Sequence, residues 1–353
     1  MAGQPSLLAL FPALESPIGG GIQAAGQIAR QALRSSFTVR CFYYGPDAEK
    51  GLPASDVIAP TRLSALWQAA RGRWTADLVM VWHVHLLRLL PFFNLPKARI
   101  AVFLHGIECW RPLDWWSERA MKNVDCFLTN SDYTRDRFLG TRPWLTRART
   151  ETTALGLGHP APASPPPGAI PAALMLGRMA IEEDYKGHRE MIGVWPRVLA
   201  DVPDAELWIA GGGSLRPALE AVVREQGLER HVHFLGYISE EEKLRRLEQC
   251  RCLALPSRGE GFGLVYLEAM RLGRPCLTST LDAGSEVIAP PEAGLAVDPG
   301  DTTGLHRAVR RLLGAGAEWE QWSRQARHRY EERYTAPAFG ERLCRAVTHC
   351  LNP

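Results

Sequence analysis

The sequence predicts an α/β protein of two Rossmann-like, doubly wound domains, and three observations lead there. Short, wholly apolar runs alternate with amphipathic helical stretches through both halves, the pattern of parallel strands buried on both faces. A length of 353 residues exceeds one ordinary core and suits two. Near the middle, residues 158–168 read GHPAPASPPPG, which can form neither helix nor central strand and makes a semi-rigid connection. The expected division is a first domain over 1–160, a linker over 161–170 and a second domain over 171–336.

In the first domain, residues 6–14 form the opening strand. Gly19, Gly20 and Gly21 follow, ahead of a helix over about 22–33. A glycine run before a helix lets backbone come close to a ligand, or is simply a flexible turn. Further strands are expected at 37–44, 78–84, 100–104 and 126–129. Ligands of such sheets collect at the carboxyl ends of the strands. His105-Gly106-Ile107-Glu108 stands at one such end and Asn130-Ser131-Asp132 at another, with Ser131 or Asp132 as a helix N-cap. The imidazole of His105 is suited to hydrogen-bond a sugar hydroxyl or a developing charge. His83 and His85 compete for that role, and spacing alone leaves the choice open.

The second domain repeats the alternation, with strands at 173–176, 207–210, 232–235, 252–255, 276–278 and 295–297. After the first of these come Gly177 and Arg178, then three acids, then Tyr185-Lys186-Gly187-His188. Arg178 offers a planar fork and Lys186 a point charge to a diphosphate. A surface ion-pair cluster with the neighbouring acids explains the same residues. Gly211-Gly212-Gly213 begins like a dinucleotide fingerprint but has Arg216 at the third glycine position, so the signal for NAD is weak. The tail reads as two amphipathic helices over 319–334 and 339–350.

Residues 252–288 hold the chain's most specific pattern: a buried strand, a glycine-rich turn from Ser257 to Gly263, a helix over 264–272, and a second strand. Turn glycines admit a ligand, and the first-turn amides face it with the positive end of the helix dipole, so the unit is built to hold phosphate. Glu260 on the turn and Glu268 in the helix are placed to accept hydrogen bonds from sugar and ribose hydroxyls. They are equally readable as solvated glutamates on a capped surface helix.

This stretch resembles the donor-binding signature of retaining glycosyltransferases of family 4, which have the GT-B fold, two Rossmann-like domains facing a central cleft. The match runs through Glu260, Gly261, Phe262, Gly263, Leu264 and Glu268. The resemblance implies that Glu260 faces the donor hexose, Glu268 binds the ribose, and Arg178 and Lys186 grip the diphosphate. It implies that the glycine loop at Gly20 and Gly21 and the turn at Gly211 lie near the donor. It also selects His105 over its neighbours, and it sends a last helix, 337–353, back across to the first domain, where the acceptor would bind. The segment Asp282-Ala283-Gly284 departs from the family's paired glycines.

The function implied is transfer of a glucosyl- or mannosyl-type hexose from a nucleoside diphosphate sugar to a glycan or lipid-linked acceptor in polysaccharide or glycoconjugate biosynthesis. No cofactor beyond the donor and no metal is expected, since the sequence lacks Asp-x-Asp. A catalytically idle nucleotide-sugar-binding or scaffold protein of the same fold is the alternative, and a GT-B epimerase or phosphorylase a third. A net charge of +3 argues against an extended nucleic-acid surface. Eight scattered cysteines without zinc spacing read as reduced, buried thiols of a cytoplasmic protein. Neither a signal peptide nor a membrane span is recognisable. The basic, aromatic stretch 63–74 and the apolar 86–93 would suit peripheral docking at the inner face of a membrane. A sheet-covering helix with an arginine outer face explains them nearly as well.

Overall fold

The computed structural model describes residues 4–14, 20–45, 52–145, 149–161 and 165–352. The chain forms two compact units, Met1–Gly158 with Tyr334–Pro353, and His159–Arg333.

The first unit is built on a seven-stranded sheet. Its strands are β1 (Ser6–Pro12), β2 (Thr38–Tyr44), β3 (Val57–Ala59), β4 (Leu78–Val81), β5 (Arg99–Leu104), β6 (Cys126–Thr129) and β7 (Arg149–Thr152). The order is β3-β2-β1-β4-β5-β6-β7, all pairs parallel. Direction of winding reverses between β1 and β4, because right-handed crossovers carry the first helix to one face and the later ones to the other. Helix Gly21–Ser36 packs against the C-terminal helix Ala336–Leu351. The other face is covered by helix Arg62–Arg71, a 3-10 segment Val84–Phe92 and helix Trp115–Met121, which pack side by side. A continuous core of Leu10, Phe42, Val81, Leu87, Val102, Met121 and their neighbours lies beneath them.

Two expectations need correction here. Residues 78–84 do not form one strand: β4 stops at Val81 and the chain turns into the 3-10 segment. The apolar run 86–93 is mostly core rather than a docking surface, since Leu86, Leu87, Leu89 and Phe93 are buried and Phe92 is its one exposed large hydrophobic side chain. Trp74 is buried too, its indole N–H donating to Ala69 O at 2.9 Å and Arg40 lying 4.1 Å over its ring. An apolar run carries the same letters whether it faces lipid or a sheet, and here the bare face of the sheet claims it. Edge strands β3 and β7 were not expected. β7 reads Arg-Thr-Glu-Thr, with nothing apolar to announce it.

The second unit holds six parallel strands, β8 (Ala172–Leu176), β9 (Glu206–Ala210), β10 (Val232–Gly236), β11 (Cys252–Ala254), β12 (Cys276–Ser279) and β13 (Gly294–Val297). Their order is β10-β9-β8-β11-β12-β13, so the topological switch lies between β8 and β11. Helices form where caps and periodicity agree. Ser239 accepts the amide of Glu242 at the start of helix Glu240–Gln249, whose first turn carries three glutamates against the dipole. Helix Thr302–Leu313 buries Leu305, Ala308, Val309, Leu312 and Leu313 on one stripe. Trp319 and Trp322 pin helix Ala317–Arg333, donating from their indole nitrogens to Arg251 O at 2.9 Å and Pro291 O at 3.0 Å. All eight cysteines are free thiols, seven of them buried. Among the described residues no helix is long and apolar enough to cross a membrane.

Candidate functional site

In the second unit the loops leaving β8, β9 and β11 interlock at the switch point. Gly211 sits at φ 130°, and a Cβ there would lie 1.9 Å from Gly177 O, so only glycine lets the turn after β9 press against the loop after β8. Gly177 N–H donates to Ala210 O at 3.0 Å, and Arg258 N–H to Tyr185 O at 2.9 Å, tying the β8 loop to its neighbours on either side. Gly187, at φ 84°, abuts the Pro256 carbonyl.

Arg178 and Lys186 both leave this β8 loop. The Arg178 side chain is 72% exposed and pairs with Glu183; Lys186 is 15% exposed and lies 3.1 Å from the same carboxylate. The Lys186 ammonium passes over Gly177. The arrangement present is the ion-pair cluster, with Glu183 as the counter-charge both cations share.

Across the switch point, the β11 loop carries Glu260, Gly261, Phe262 and Gly263 into helix Leu264–Arg271. Gly263 is left-handed (φ 85°), and a Cβ on it would strike the Tyr266 ring at 2.4 Å. Tyr266 is locked by its hydroxyl, 3.0 Å from both Leu255 O and Thr278 Oγ1. Phe262 is buried. Burial raises the Glu260 carboxyl, Lys186 pulls it down and Glu183 pushes it up, so the acid and the two β8-loop charges share one field. Helix Leu264–Arg271 starts at this loop, where first-turn amides lack the usual acceptor four residues back; that of Tyr266 turns to Gly263 O at 3.0 Å.

Glu268 lies farther along that helix. Its Oε1 is 2.8 Å from Lys243 Nζ, while Oε2 is buried without a hydrogen-bond partner. An orphan acceptor beside a shared cation suits a ligand hydroxyl. Lys243 also reaches Glu240 at 2.7 Å, a link the sequence did not announce.

Asp282 stands where the sequence departs from the family's paired glycines. It is 2% exposed, and its two carboxylate oxygens accept the amides of Glu260 at 3.1 Å and Gly284 at 3.0 Å. Burial, outweighing those hydrogen bonds, pushes its pKa up to about 7. A Cβ on Gly284 would lie 2.0 Å from Thr278 Oγ1, so the glycine that the departure retains is sterically required.

In the first unit, His105 ends β5 with its ring 4.8 Å from both Trp82 and Phe103. Nε2 is 2.7 Å from Trp82 O, which makes it the protonated nitrogen; Nδ1 is a buried acceptor without a partner. Burial pushes the ring's pKa down to about 3, so the imidazole is neutral. Gly106 follows at φ 145°, which is why a glycine succeeds the histidine, and Glu108 clamps the turn by accepting the amides of both residues. His83 is also pushed down, to about 4, and its Nδ1 faces His85 N at 3.3 Å. Gly20 caps helix Gly21–Ser36 with extended backbone, and a Cβ there would meet only the flexible Gln23 at 3.3 Å. Gly19 lies outside the described residues. Among the described residues no group of three His, Cys, Asp or Glu is placed to hold a metal.

The fold and these loops define a two-unit α/β protein of the GT-B class. The model of the family described as glycosyl transferases group 1 matches residues 170–315, which contain every second-unit residue of this site. The O-antigen chain mannosyltransferase C of Escherichia coli is 30% identical over 362 residues, covering 90% of this chain and 91% of that enzyme. The chain belongs to the glycosyl transferases group 1 family. It is also 34% identical over 164 residues to glycogen synthase of Mycobacterium tuberculosis, matching 46% of this chain and only 39% of that protein's length. In fold it is similar to HepE of Anabaena, solved in complex with UDP and glucose, at a TM-score of 0.74, 15% identity and coverage of 98% and 100%.

Proposed function

We propose that the chain is a retaining hexosyltransferase, moving a glucosyl- or mannosyl-type unit from a nucleoside diphosphate sugar to a glycan or lipid-linked acceptor in polysaccharide or glycoconjugate assembly. The observation that carries this is the meeting of Arg178, Lys186, Glu260 and the start of helix Leu264–Arg271 where the winding of the second sheet reverses. Two cations and a row of amides stabilise a leaving diphosphate without a metal. Glu268, with an open Oε2, takes the ribose hydroxyls, and Glu260 orients the hexose through its hydroxyls; the neutral His105 is the first unit's candidate to hydrogen-bond a sugar hydroxyl. The acceptor oxygen bonds to the anomeric carbon on the face the diphosphate leaves, and the departing phosphate oxygen takes the acceptor's proton. No side-chain nucleophile is assigned. The mannosyltransferase relative, and the UDP and glucose bound to the structural neighbour, support the same substrate class.

Calorimetric titration with UDP, GDP, ADP and NAD, with and without magnesium, tests this. One nucleoside diphosphate should bind tightly and indifferently to metal, and binding of NAD alone, or of nothing, would refute the donor site. Release of nucleoside diphosphate only when acceptor is present then separates transfer from epimerase or phosphorylase chemistry. Arg178→Ala and Lys186→Ala should each lower turnover by roughly two orders of magnitude in a folded protein.

A further inference from the structure

Four tryptophans and one flanking leucine stand unusually far out of the first unit. Trp67 is 60% exposed, Trp115 63%, Trp116 62%, Trp144 43% and Leu63 80%. Among the described residues, every exposed tryptophan belongs to this unit. Large indoles left in water mark a surface that meets something else. The helices Arg62–Arg71 and Trp115–Met121 that carry four of these five side chains flank the same 3-10 segment, so they belong to one outer layer.

Each of three tryptophans has a cation over its ring. Arg71 lies 5.6 Å from the ring centre of Trp67, Arg119 5.6 Å from that of Trp115, and Lys122 Nζ 5.8 Å from that of Trp144. The acids of the layer are engaged elsewhere. Asp114 accepts the first amides of helix Trp115–Met121, and Glu118 is paired at 2.7 Å with the buried Arg142. Between residues 62 and 122 the sequence has nine lysines and arginines against four acids. The field facing outward is therefore positive.

We propose that this layer docks the enzyme on an anionic phospholipid surface. Indoles seat at the boundary between headgroups and acyl chains, while stacked cations reach the phosphates beside them. The cations stacked on Trp67, Trp115 and Trp144 set positive charge beside the indoles, which favours an anionic surface over a neutral glycan. The surface is distinct from the donor loops and stands whether or not the donor assignment does. It lies mainly on helices Arg62–Arg71 and Trp115–Met121, not on the apolar run 86–93.

Sedimentation of the full chain with vesicles of phosphatidylglycerol and of phosphatidylcholine tests it. Binding should favour the anionic vesicles, weaken as salt rises, and shift tryptophan emission to the blue. The double substitution Trp115→Ala with Trp116→Ala should reduce partitioning at least roughly tenfold, and Arg119→Gln roughly fivefold. Both should leave the melting temperature and nucleotide affinity unchanged. Equal binding to both vesicle types, no binding, or a double variant that binds like the parent overturns the proposal. Retention on a soluble oligosaccharide without vesicle binding overturns it as well and reassigns the layer to glycan.

Discussion

Asp282 holds the backbone of Glu260: one carboxylate oxygen accepts the Glu260 amide at 3.1 Å, and Ala283 N–H returns a bond to Glu260 O at 3.1 Å. The residue that faces the proposed sugar is thus positioned by a turn more than twenty residues away in sequence. Asp282→Ala would leave the Glu260 and Gly284 amides without their acceptor. We expect a loss of about 2–3 kcal/mol of stability in urea unfolding and weaker donor binding. Asp282→Asn keeps one acceptor and cannot ionise, and because the acid has its pKa raised to about 7, the variant should flatten the pH dependence of donor affinity near neutrality. An unchanged pH profile would remove Asp282 from the donor loop's control.

Glu183 is the one counter-charge that Arg178 and Lys186 share. A diphosphate must displace that carboxylate, or bind against its charge. Glu183→Gln removes the competitor and should tighten nucleoside diphosphate binding by roughly three- to tenfold in calorimetry. Weaker binding instead would mean that Glu183 chiefly holds Lys186 in place.

The limits of sequence reading follow the same physics. Strand β8 is apolar and buried throughout, and β1 and β5 are so along most of their length, so each announces itself by an apolar run. The turn from Glu260 to Leu264 was legible because a strand, glycines and a helix start occur together. Asp282 was not legible as a brace, since a single aspartate in a turn has no periodicity and acquires its partner only through tertiary folding. Glu183 was one of three consecutive acids, indistinguishable until the loop brought it to both cations. Nor could letters separate the buried Trp74 from the exposed Trp67, seven residues apart on what looked like one surface.

Gly211 allows a severe test of the loop packing. Alanine there meets Gly177 O at 1.9 Å and must also adopt φ 130°. Both loops would have to separate, so Gly211→Ala should destabilise the second unit by about 3 kcal/mol or more, read as a lowered thermal midpoint. Gly193, whose Cβ position is open and whose helix favours alanine, is the control and should tolerate the same change.

His105 joins stability to function in the first unit. Its folded pKa of about 3 lies below the ordinary value of 6.5, chiefly through burial, and His83 follows at about 4. A depressed histidine pKa means that the unfolded chain takes up a proton the folded unit refuses. The stability these rings contribute is therefore complete above pH 6.5 and declines as pH falls towards 4. Glu108, raised by burial, works in the opposite direction on acidification. Replacing His105 with glutamine should remove about 1.4 kcal/mol per pH unit from the acid limb of the unfolding curve. The same variant retains a donor for Trp82 O but moves the acceptor that Nδ1 offers. Its turnover should fall by roughly 10- to 100-fold while its affinity for the nucleoside diphosphate alone is preserved. A changed acid limb with full turnover would make His105 a structural residue only; the reverse pattern would make the orphan Nδ1 the group that contacts the hexose.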